Sequence, residues 1–212
     1  MYKNVIKQII DLALSFLGAI MLLPIFIIVG ALIYIDDPGP VLFKQKRIGK
    51  NKKIFWLHKF RSMKMNTPNI PTHLLDNPEQ YITRVGRVLR LLSVDELPQI
   101  YAILLGRMSI IGPRPALWNQ YDLIAERDKY GANDIKPGLT GWAQINGRDK
   151  LPIDIKAKFD GEYTEKLNTG GFTAFTMDLK CFFGTITKVL KHEGVVEGGA
   201  ISGVKEKEVV HK

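Results

Sequence analysis

Apolar residues are spread very unevenly along this chain of 212 residues. The stretch Leu12–Ile35 contains 24 residues and no charged side chain, and Pro24 lies near its middle. A helix needs about 20 mostly apolar residues to cross the hydrocarbon core of a bilayer. The pattern therefore predicts a membrane-embedded segment at residues 1–36, a single domain at 37–192, and a loosely ordered, charged tail at 193–212.

The flanks of the apolar stretch leave its topology open. Lys3 and Lys7 precede it, and six further basic residues follow it closely: Lys44, Lys46, Arg47, Lys50, Lys52 and Lys53. Positive charge favours the cytoplasmic side, so a spanning helix would leave the first two lysines outside, whereas a re-entrant hairpin would keep both flanks inside. Pro24 can break a helix, but prolines are also tolerated in ordinary transmembrane helices. A cleaved signal peptide fits less well, because its apolar region spans only about 7–15 residues.

The remaining pattern predicts an α-rich α+β domain. Two strands, Val41–Gln45 and Ile54–Arg61, flank a turn and form a small β-hairpin. Helices are predicted at four places: Thr83–Leu91, Val94–Leu105, Ala116–Tyr130 and Phe175–Leu190. The last helix has an apolar stripe edged by lysines, which suits a helix lying in the membrane interface or one that faces the domain core. The segment Lys136–Gly147 is predicted to be a glycine-rich connection.

The net charge of +9 suits either nucleic acid or an anionic membrane surface. The embedded segment favours anionic lipids, and no nucleic-acid-binding module is recognisable, so we expect no nucleic-acid partner. Cys181 is the single cysteine of the chain, which excludes an intrachain disulfide and agrees with a cytosolic location. A lone thiol in an apolar stretch is expected to be a packing residue.

The densest group of polar residues is the stretch from Arg90 to Gln99. Ser93 followed by Glu96 matches a capping box, which predicts that a helix begins here. Asp95 then falls in the first turn, where the helix dipole favours a carboxylate. Capping alone would explain Glu96, so this pattern leaves a catalytic and a purely structural interpretation open.

Several basic residues in turn-rich contexts favour a phosphate-containing substrate. They are Lys59, Arg61, Arg90, Arg114, Lys136 and Arg148. A rigid backbone rich in glycine and proline fixes an arginine fork for bidentate contact with phosphate. Paired acids could also hold a divalent cation, so the set indicates a diphosphate substrate with Mg²⁺. No P-loop or dinucleotide-binding glycine pattern is present.

Three motifs follow one another in the central part of the chain: Ser93–Gln99, Met108–Pro115 and Pro137–Arg148. Together with Lys59–Met63 and Asp178–Lys180 they resemble the bacterial sugar transferases called monotopic phosphoglycosyl transferases. The resemblance covers essentially the whole chain. It implies transfer of a sugar 1-phosphate from a UDP-sugar to a polyprenol phosphate, with release of UMP, at the cytoplasmic face of the bacterial plasma membrane.

The resemblance also implies roles for individual residues. Asp95 would be the nucleophile that forms a phosphosugar-aspartyl intermediate, and Glu96 would complete an acidic dyad that holds Mg²⁺. Lys59, Arg90, Arg114 and Arg148 would bind phosphate, and Asp178 would support the site.

Two further features bear on topology and substrate. Many members of the family have Ser-Pro at the helix break, where this chain has Leu23-Pro24, yet the resemblance favours a re-entrant helix-break-helix. The segments Asn66–His73 and Pro115–Asp122 resemble a capsule-type branch that handles N-acetylated amino or deoxyamino sugars. The alternatives are a Leloir-type glycosyltransferase, which releases UDP, and a non-catalytic lipid-binding adaptor. The oligomeric state is left open, with a homodimer as one alternative.

Overall fold

The N-terminal segment is helical throughout in a computed structural model, which describes residues 1–68, 77–147 and 150–190. Tyr2–Ile6 forms a π-helical turn that leads into α1, a helix of 30 residues, Lys7–Asp36. Only 11% of the most apolar window of this helix is buried inside the protein. Its length and exposed apolar surface therefore suit a membrane segment and not the core helix of a soluble domain.

Pro24 lies inside α1, and the assigned helix continues through it. The predicted division into two helices separated by a break is therefore corrected to one helix that contains a proline. Proline removes one backbone hydrogen bond and crowds the preceding turn, which bends a helix without having to end it. Return of the segment to the same membrane face stays a prediction.

The predicted β-hairpin is present. Strand β1, Leu42–Ile48, pairs antiparallel with β2, Ile54–Phe60, and the register runs from Leu42 opposite Phe60 to Ile48 opposite Ile54. Strand β1 extends three residues further toward the turn than predicted, and β2 ends one residue earlier. In β2, Phe55 and Leu57 are buried, and Lys59 continues the same face.

The predicted helices are found with changed bounds. Helix α2, Arg84–Leu91, is capped by Thr83, whose Oγ1 accepts a hydrogen bond of 2.9 Å from the Gly86 amide. The predicted helix at 94–105 is a 3₁₀ segment, Val94–Gln99, followed by α3, Ile100–Leu104. Of the predicted helix at 116–130, only α4, Tyr121–Asp128, is helical.

A second sheet and one long helix were not predicted. Strand β3, Ser109–Ile111, pairs in parallel with β4, Gly138–Thr140, inside the segment that was predicted to be a connection. Short helix α5, Trp142–Ile145, follows β4, and α6, Ile153–Thr169, precedes α7, Gly171–Leu190. Helix α7 thus begins four residues before the predicted start. A side chain at residue 138 would meet the Gly112 amide nitrogen at 2.1 Å, which explains the glycine there.

The first half of α1 packs on the domain through polar contacts. The Asp11 carboxylate accepts hydrogen bonds from the Ser109 hydroxyl, at 2.7 Å, and from the Ile110 amide, at 3.1 Å. Asp11 is 7% exposed, so these bonds satisfy a carboxylate that burial would otherwise destabilise. Further along, Gly18 approaches Ile100, the first residue of α3. The beginning of β3 and α3 therefore hold this half of the helix.

The second half of α1 packs on the same domain through apolar contacts. Val29 and Ile33 form a core cluster with Phe60 of β2 and Leu89 of α2. At the end of the helix, the Asp36 carboxylate accepts a hydrogen bond of 2.9 Å from the amide of Val85. Both halves of α1 are therefore held by a single domain.

Helices α4 and α6 are joined by a buried ion pair. The Arg127 guanidinium donates to one Asp160 carboxylate oxygen from Nε, at 2.8 Å, and from Nη2, at 2.6 Å. The two side chains are 4% and 1% exposed. Removal of one partner would leave a buried charge without compensation.

Asp160→Ala is expected to lower the free energy of unfolding by about 3–5 kcal/mol. Thermal unfolding in detergent micelles should show this loss as a fall in Tm of roughly 10 °C. The control is Glu126→Ala, which breaks an exposed pair with Lys129 and should change stability by less than about 1 kcal/mol. Equal stability of the two variants would contradict the assigned role of the buried pair.

Cys181 is the packing residue that the sequence predicts. It is 0% exposed and lies in a core cluster with Ile111 and Tyr163. Burial, followed by the charge of Asp178, raises the pKa of its thiol to about 12. The thiol is therefore both inaccessible and protonated at neutral pH.

Maleimide should therefore leave the folded protein unlabelled at pH 7 and label one thiol per chain after denaturation. Intact mass spectrometry measures both states. Rapid labelling of the folded protein would show that α7 does not pack as described.

Candidate active site

Three separate parts of the chain meet at Glu96. Lys59 lies near the end of β2, and the 3₁₀ segment Val94–Gln99 packs against this strand. Arg114 follows the end of β3 by three residues, between two prolines that stiffen the backbone. The packing of the 3₁₀ segment on β2 and the direction of β3 therefore bring these sequence motifs to one place.

Glu96 is clamped between two cations. Lys59 Nζ donates to Glu96 Oε1 at 2.8 Å, and Arg114 Nη1 donates to Oε2 at 3.0 Å. Arg114 Nη2 also donates to Oε1, which makes the arginine contact bidentate. Burial opposes ionisation of Glu96, but Arg114 and Lys59 outweigh it and hold the pKa well below its ordinary value. Glu96 is therefore an ionised group whose two oxygens already have partners.

The predicted capping box is wrong. Ser93 has left-handed backbone dihedrals, φ 55° and ψ 21°, and its side chain makes no capping hydrogen bond. Glu96 extends to Lys59 and Arg114 and does not return to the Ser93 amide. A non-glycine residue in this conformation is unfavourable by about 1–3 kcal/mol and tends to occur at functional sites.

Asp95 differs sharply from its neighbour. Its carboxylate makes no hydrogen bond or ion pair within residues 1–68, 77–147 and 150–190, although the side chain is partly buried. Burial, and then the charge of Glu96, raise the pKa of Asp95, while Lys59, Arg90 and Arg114 act in the opposite direction. Asp95 is therefore a partly buried carboxylate close to three cations and to Glu96, with its oxygens available to a ligand.

Arg90 and Arg47 complete the basic surroundings of Asp95 and Glu96. The sequence alone did not single out Arg47 as a residue of the site. Arg90 Nε donates to the Ser62 hydroxyl at 2.9 Å, and its charge acts on Asp95. Arg47 of β1 donates to the carbonyl oxygen of Pro115 at 2.9 Å and so holds the loop that carries Arg114. Arg47 lies opposite Phe55 in the hairpin register, and the alternation of β1 and β2 could have placed it on the Lys59 face.

Asp178 lies in a different network from Asp95 and Glu96. Its Oδ2 accepts hydrogen bonds from the Tyr2 hydroxyl at 2.7 Å and from Lys7 at 2.9 Å, and its Oδ1 accepts one from the Tyr163 hydroxyl at 2.7 Å. These bonds join the N-terminal segment to α6 and α7. The structure therefore gives Asp178 a role in holding the start of α1, and contact with substrate stays a prediction.

Of the remaining candidate residues, the structure locates some and does not describe others. Arg61 is buried and paired with Asp37 at the end of α1, so it stabilises the fold there. Lys136 lines a pocket near the N-terminus. Arg148, most of the insert at 66–73 and the tail at 193–212 lie outside the described residues.

Few carboxylates of the site are available to bind Mg²⁺. Within the part of the chain that the structure describes, no cluster of three or more histidine, cysteine, aspartate or glutamate residues could hold a metal ion. Mg²⁺ often uses one or two protein carboxylates together with substrate phosphates. Asp95 fits that requirement, whereas both oxygens of Glu96 are engaged by cations. A Mg²⁺ site formed by Asp95 and Glu96 stays a prediction.

Comparison with protein families shows the family of this chain. The family model described as Bacterial sugar transferase matches residues 2–192. The chain belongs to this family. The match includes α1 as well as the domain.

Individual relatives are similar to this chain over most of its length. The transferase is 36% identical over 191 residues to the uncharacterized sugar transferase EpsL of Bacillus subtilis, and the match covers 90% of each chain. It is 36% identical over 196 residues to the exopolysaccharide production protein PSS of Rhizobium leguminosarum, covering 88% of this chain and 96% of the relative. A third relative is the UDP-glucose:undecaprenyl-phosphate glucose-1-phosphate transferase of Escherichia coli K12, 36% identical over 195 residues, with 88% of this chain and 40% of the relative covered.

Proposed function

We propose that this transferase moves a sugar 1-phosphate from a UDP-sugar to undecaprenyl phosphate, releases UMP and so initiates polysaccharide assembly. The observation that carries the proposal is the contrast between two adjacent carboxylates. Glu96 is satisfied by Lys59 and Arg114, whereas Asp95 has no partner among the described residues. The printed name of the Escherichia coli relative describes a transfer of this kind to undecaprenyl phosphate.

In the first step, a carboxylate oxygen of Asp95 attacks the phosphorus that bears the sugar. The bond from that phosphorus to the bridging oxygen breaks, and UMP leaves with the electron pair. The product is a phosphosugar-aspartyl enzyme. Arg90 and the side chains of Lys59 and Arg114 surround Asp95 with positive charge, which offsets repulsion between an anionic nucleophile and an anionic phosphate.

In the second step, a phosphate oxygen of undecaprenyl phosphate attacks the same phosphorus. The bond to Asp95 breaks, the carboxylate is restored, and the lipid carries a sugar diphosphate. Two successive displacements allow one small site to use a soluble donor and a lipid acceptor in turn, which predicts ping-pong kinetics. Mg²⁺ held at Asp95 would neutralise charge on the substrate diphosphate. Glu96 keeps Lys59 and Arg114 in place during both steps.

The contacts of α1 support a re-entrant arrangement on the cytoplasmic side. A helix that spans the bilayer would carry one half away from the domain, but here both halves contact it. Exposed aromatic residues on α7, among them Phe172 at 80% and Phe183 at 60%, would lie at the membrane interface. Lys3 and Lys7 would then lie on the cytoplasmic side, together with the basic residues that follow the apolar stretch.

The topology is tested by Asn4→Cys, because Asn4 is exposed and the native Cys181 is buried. Intact cells are treated with a maleimide that does not cross the membrane, and permeabilised cells serve as the reference. The re-entrant arrangement predicts labelling after permeabilisation only. Labelling of intact cells would show that the N-terminus lies outside.

The sugar is proposed to be an N-acetylated amino or deoxyamino sugar. One relative that supports this choice is the UDP-N-acetylgalactosamine-undecaprenyl-phosphate N-acetylgalactosaminephosphotransferase of Aeromonas hydrophila, 32% identical over 191 residues, with 87% of this chain and 44% of the relative covered. Another relative is named for glucose, so the family as a whole does not decide the sugar.

Nucleotide release with a panel of UDP-sugars tests the function. Purified full-length protein is incubated with each donor and undecaprenyl phosphate, and the nucleotides are separated by chromatography. The proposal predicts UMP, with the fastest release from an N-acetylated donor. A Leloir-type enzyme would release UDP. The two-stranded sheets found within the described residues are too small for the nucleotide-binding sheet of that class.

A further inference from the structure

A pocket lined by lysines lies at the other end of β3 from Arg114. Ser109 begins β3 and lines this pocket, whereas Arg114 follows the end of the strand. Lys3 and Lys7 line it from the N-terminal segment, and Lys50 and Lys136 line it from the domain. No described contact joins these side chains to Asp95 or Glu96, so the pocket is separate from the proposed transfer site.

The acidic groups in and beside the pocket are already engaged. Lys7 is paired with Asp178 at 2.9 Å, so Asp178 offsets part of the charge of that lysine. The Asp11 carboxylate accepts hydrogen bonds from Ser109 and from the Ile110 amide. Hydrogen bonds from neutral donors do not cancel the charge of this carboxylate, so Asp11 offsets part of the positive charge of the four lysines that line the pocket.

Nearby acidic groups offset only part of the charge of the other lysines, since Asp11 acts on Lys136 and Asp134 acts on Lys3. Lys3 Nζ donates at 2.6 Å to Asn168 Oδ1, which is neutral. The side chains of Lys50 and Lys136 make no ion pair or hydrogen bond with any described residue. Burial lowers the pKa of Lys136, and the charges of Lys50 and Lys7 lower it further against the effect of Asp11. An anion between these lysines would remove this repulsion.

We propose that this pocket binds the phosphate of an anionic phospholipid headgroup. Lys3 and Lys7 stand directly before the apolar part of α1, so the pocket opens where the membrane segment begins. At that depth the phosphates of the lipid headgroups are the most abundant anions. The site is distinct from the donor and acceptor sites of the proposed function, and it rests only on the placement of α1 in the membrane.

The expected consequence is selective retention of anionic lipid. Full-length protein is reconstituted in nanodiscs of equimolar phosphatidylcholine and phosphatidylglycerol, released in mild detergent and examined by native mass spectrometry. The wild-type protein should retain phosphatidylglycerol in preference to phosphatidylcholine. The double variant Lys50→Gln/Lys136→Gln should lower this preference by roughly thirtyfold, because each lysine at a lipid surface contributes about 1 kcal/mol.

The matched control is Lys52→Gln/Lys129→Gln, which removes the same charge from two lysines that pair with Asp128 and Glu126 at the surface. It should keep the wild-type preference, and so should the charge-preserving Lys50→Arg/Lys136→Arg. An equal loss in both glutamine variants, or no loss in either, would overturn the proposal. Thermal unfolding of the Lys50→Gln/Lys136→Gln protein, with a Tm close to that of the wild type, serves as the check that it folds.

A second arm separates a lipid headgroup from a soluble anion. Inorganic phosphate is titrated by calorimetry into the protein in nanodiscs of phosphatidylcholine alone. Binding of phosphate that depends on Lys50 and Lys136, without retention of phosphatidylglycerol, would replace the lipid by a soluble ligand and contradict the proposal. Lipid retention requires no catalysis, so failure of the proposed function would leave this result unaffected.

Discussion

Asp95→Asn is expected to reduce release of UMP from the UDP-sugar by at least about a thousandfold. An amide is nearly the same size as the carboxylate but cannot attack phosphorus. Asp95 makes no hydrogen bond to another described residue, so its replacement should leave the fold intact. Turnover measured by chromatography of the nucleotides, together with Tm in the same detergent, separates loss of chemistry from loss of structure.

The control for this variant is Asp122→Asn at the start of α4, whose carboxylate accepts a hydrogen bond from the Leu123 amide. It should keep turnover within about twofold of wild type, because surface substitutions generally have small effects. Near-wild-type release of UMP by the Asp95 variant would show that another group is the nucleophile.

Glu96→Gln is expected to impair both stability and catalysis. Its carboxylate compensates the charges of Lys59 and Arg114, and the three side chains are 13%, 17% and 25% exposed. Loss of the negative charge from a buried group of this kind lowers the free energy of unfolding by about 3–5 kcal/mol. Displacement of Lys59 and Arg114 should reduce turnover by roughly a hundredfold, since positioned cations stabilise charge in the transition state.

Glu162→Gln provides a matched comparison, because Glu162 accepts a hydrogen bond of 2.9 Å from the Trp142 indole and pairs with no cation among the residues that the structure describes. Thermal unfolding should show a change below about 1 kcal/mol for this variant. If Glu96→Gln matched it in both stability and turnover, the clamp formed by Lys59 and Arg114 would have no importance for the enzyme.

Much of the candidate site could be predicted because its residues lie in short motifs. Lys59, Asp95, Glu96 and Arg114 were selected from local context and from resemblance, and the structure brings them together. The way they meet could not be predicted from local patterns. Ser93 and Glu96 match a capping box in sequence, but two cations from distant parts of the chain compete for Glu96 and are stronger partners than a backbone amide.

The fold was predicted best where the pattern was local and periodic. The hairpin and α2 were found close to their predicted bounds, because alternation and a threonine cap are visible in sequence. Strands β3 and β4 are only three residues each and pair across the glycine-rich region, which gives no periodic signal. Helix α6 has polar residues on most sides, and its buried Asp160 is stabilised by Arg127 from another helix.

Asp178 shows that the contacts of a residue are needed to define the role that a motif suggests. The resemblance implied that it supports the site, and in the structure its oxygens accept hydrogen bonds from Tyr2, Lys7 and Tyr163. These partners are separated from it by up to 176 residues, which no local pattern can reveal. The charge network instead ties the start of the membrane segment to the last helices.

The central claim is that Asp95 accepts the phosphosugar before the lipid arrives. It is tested most directly by mixing the enzyme with UDP-sugar in the absence of undecaprenyl phosphate and measuring UMP formed per enzyme by rapid quench. We expect a burst of about one UMP per active site and an enzyme mass increased by one phosphosugar. Formation of UMP only after undecaprenyl phosphate is added would contradict the account, because it would mean direct transfer from donor to acceptor.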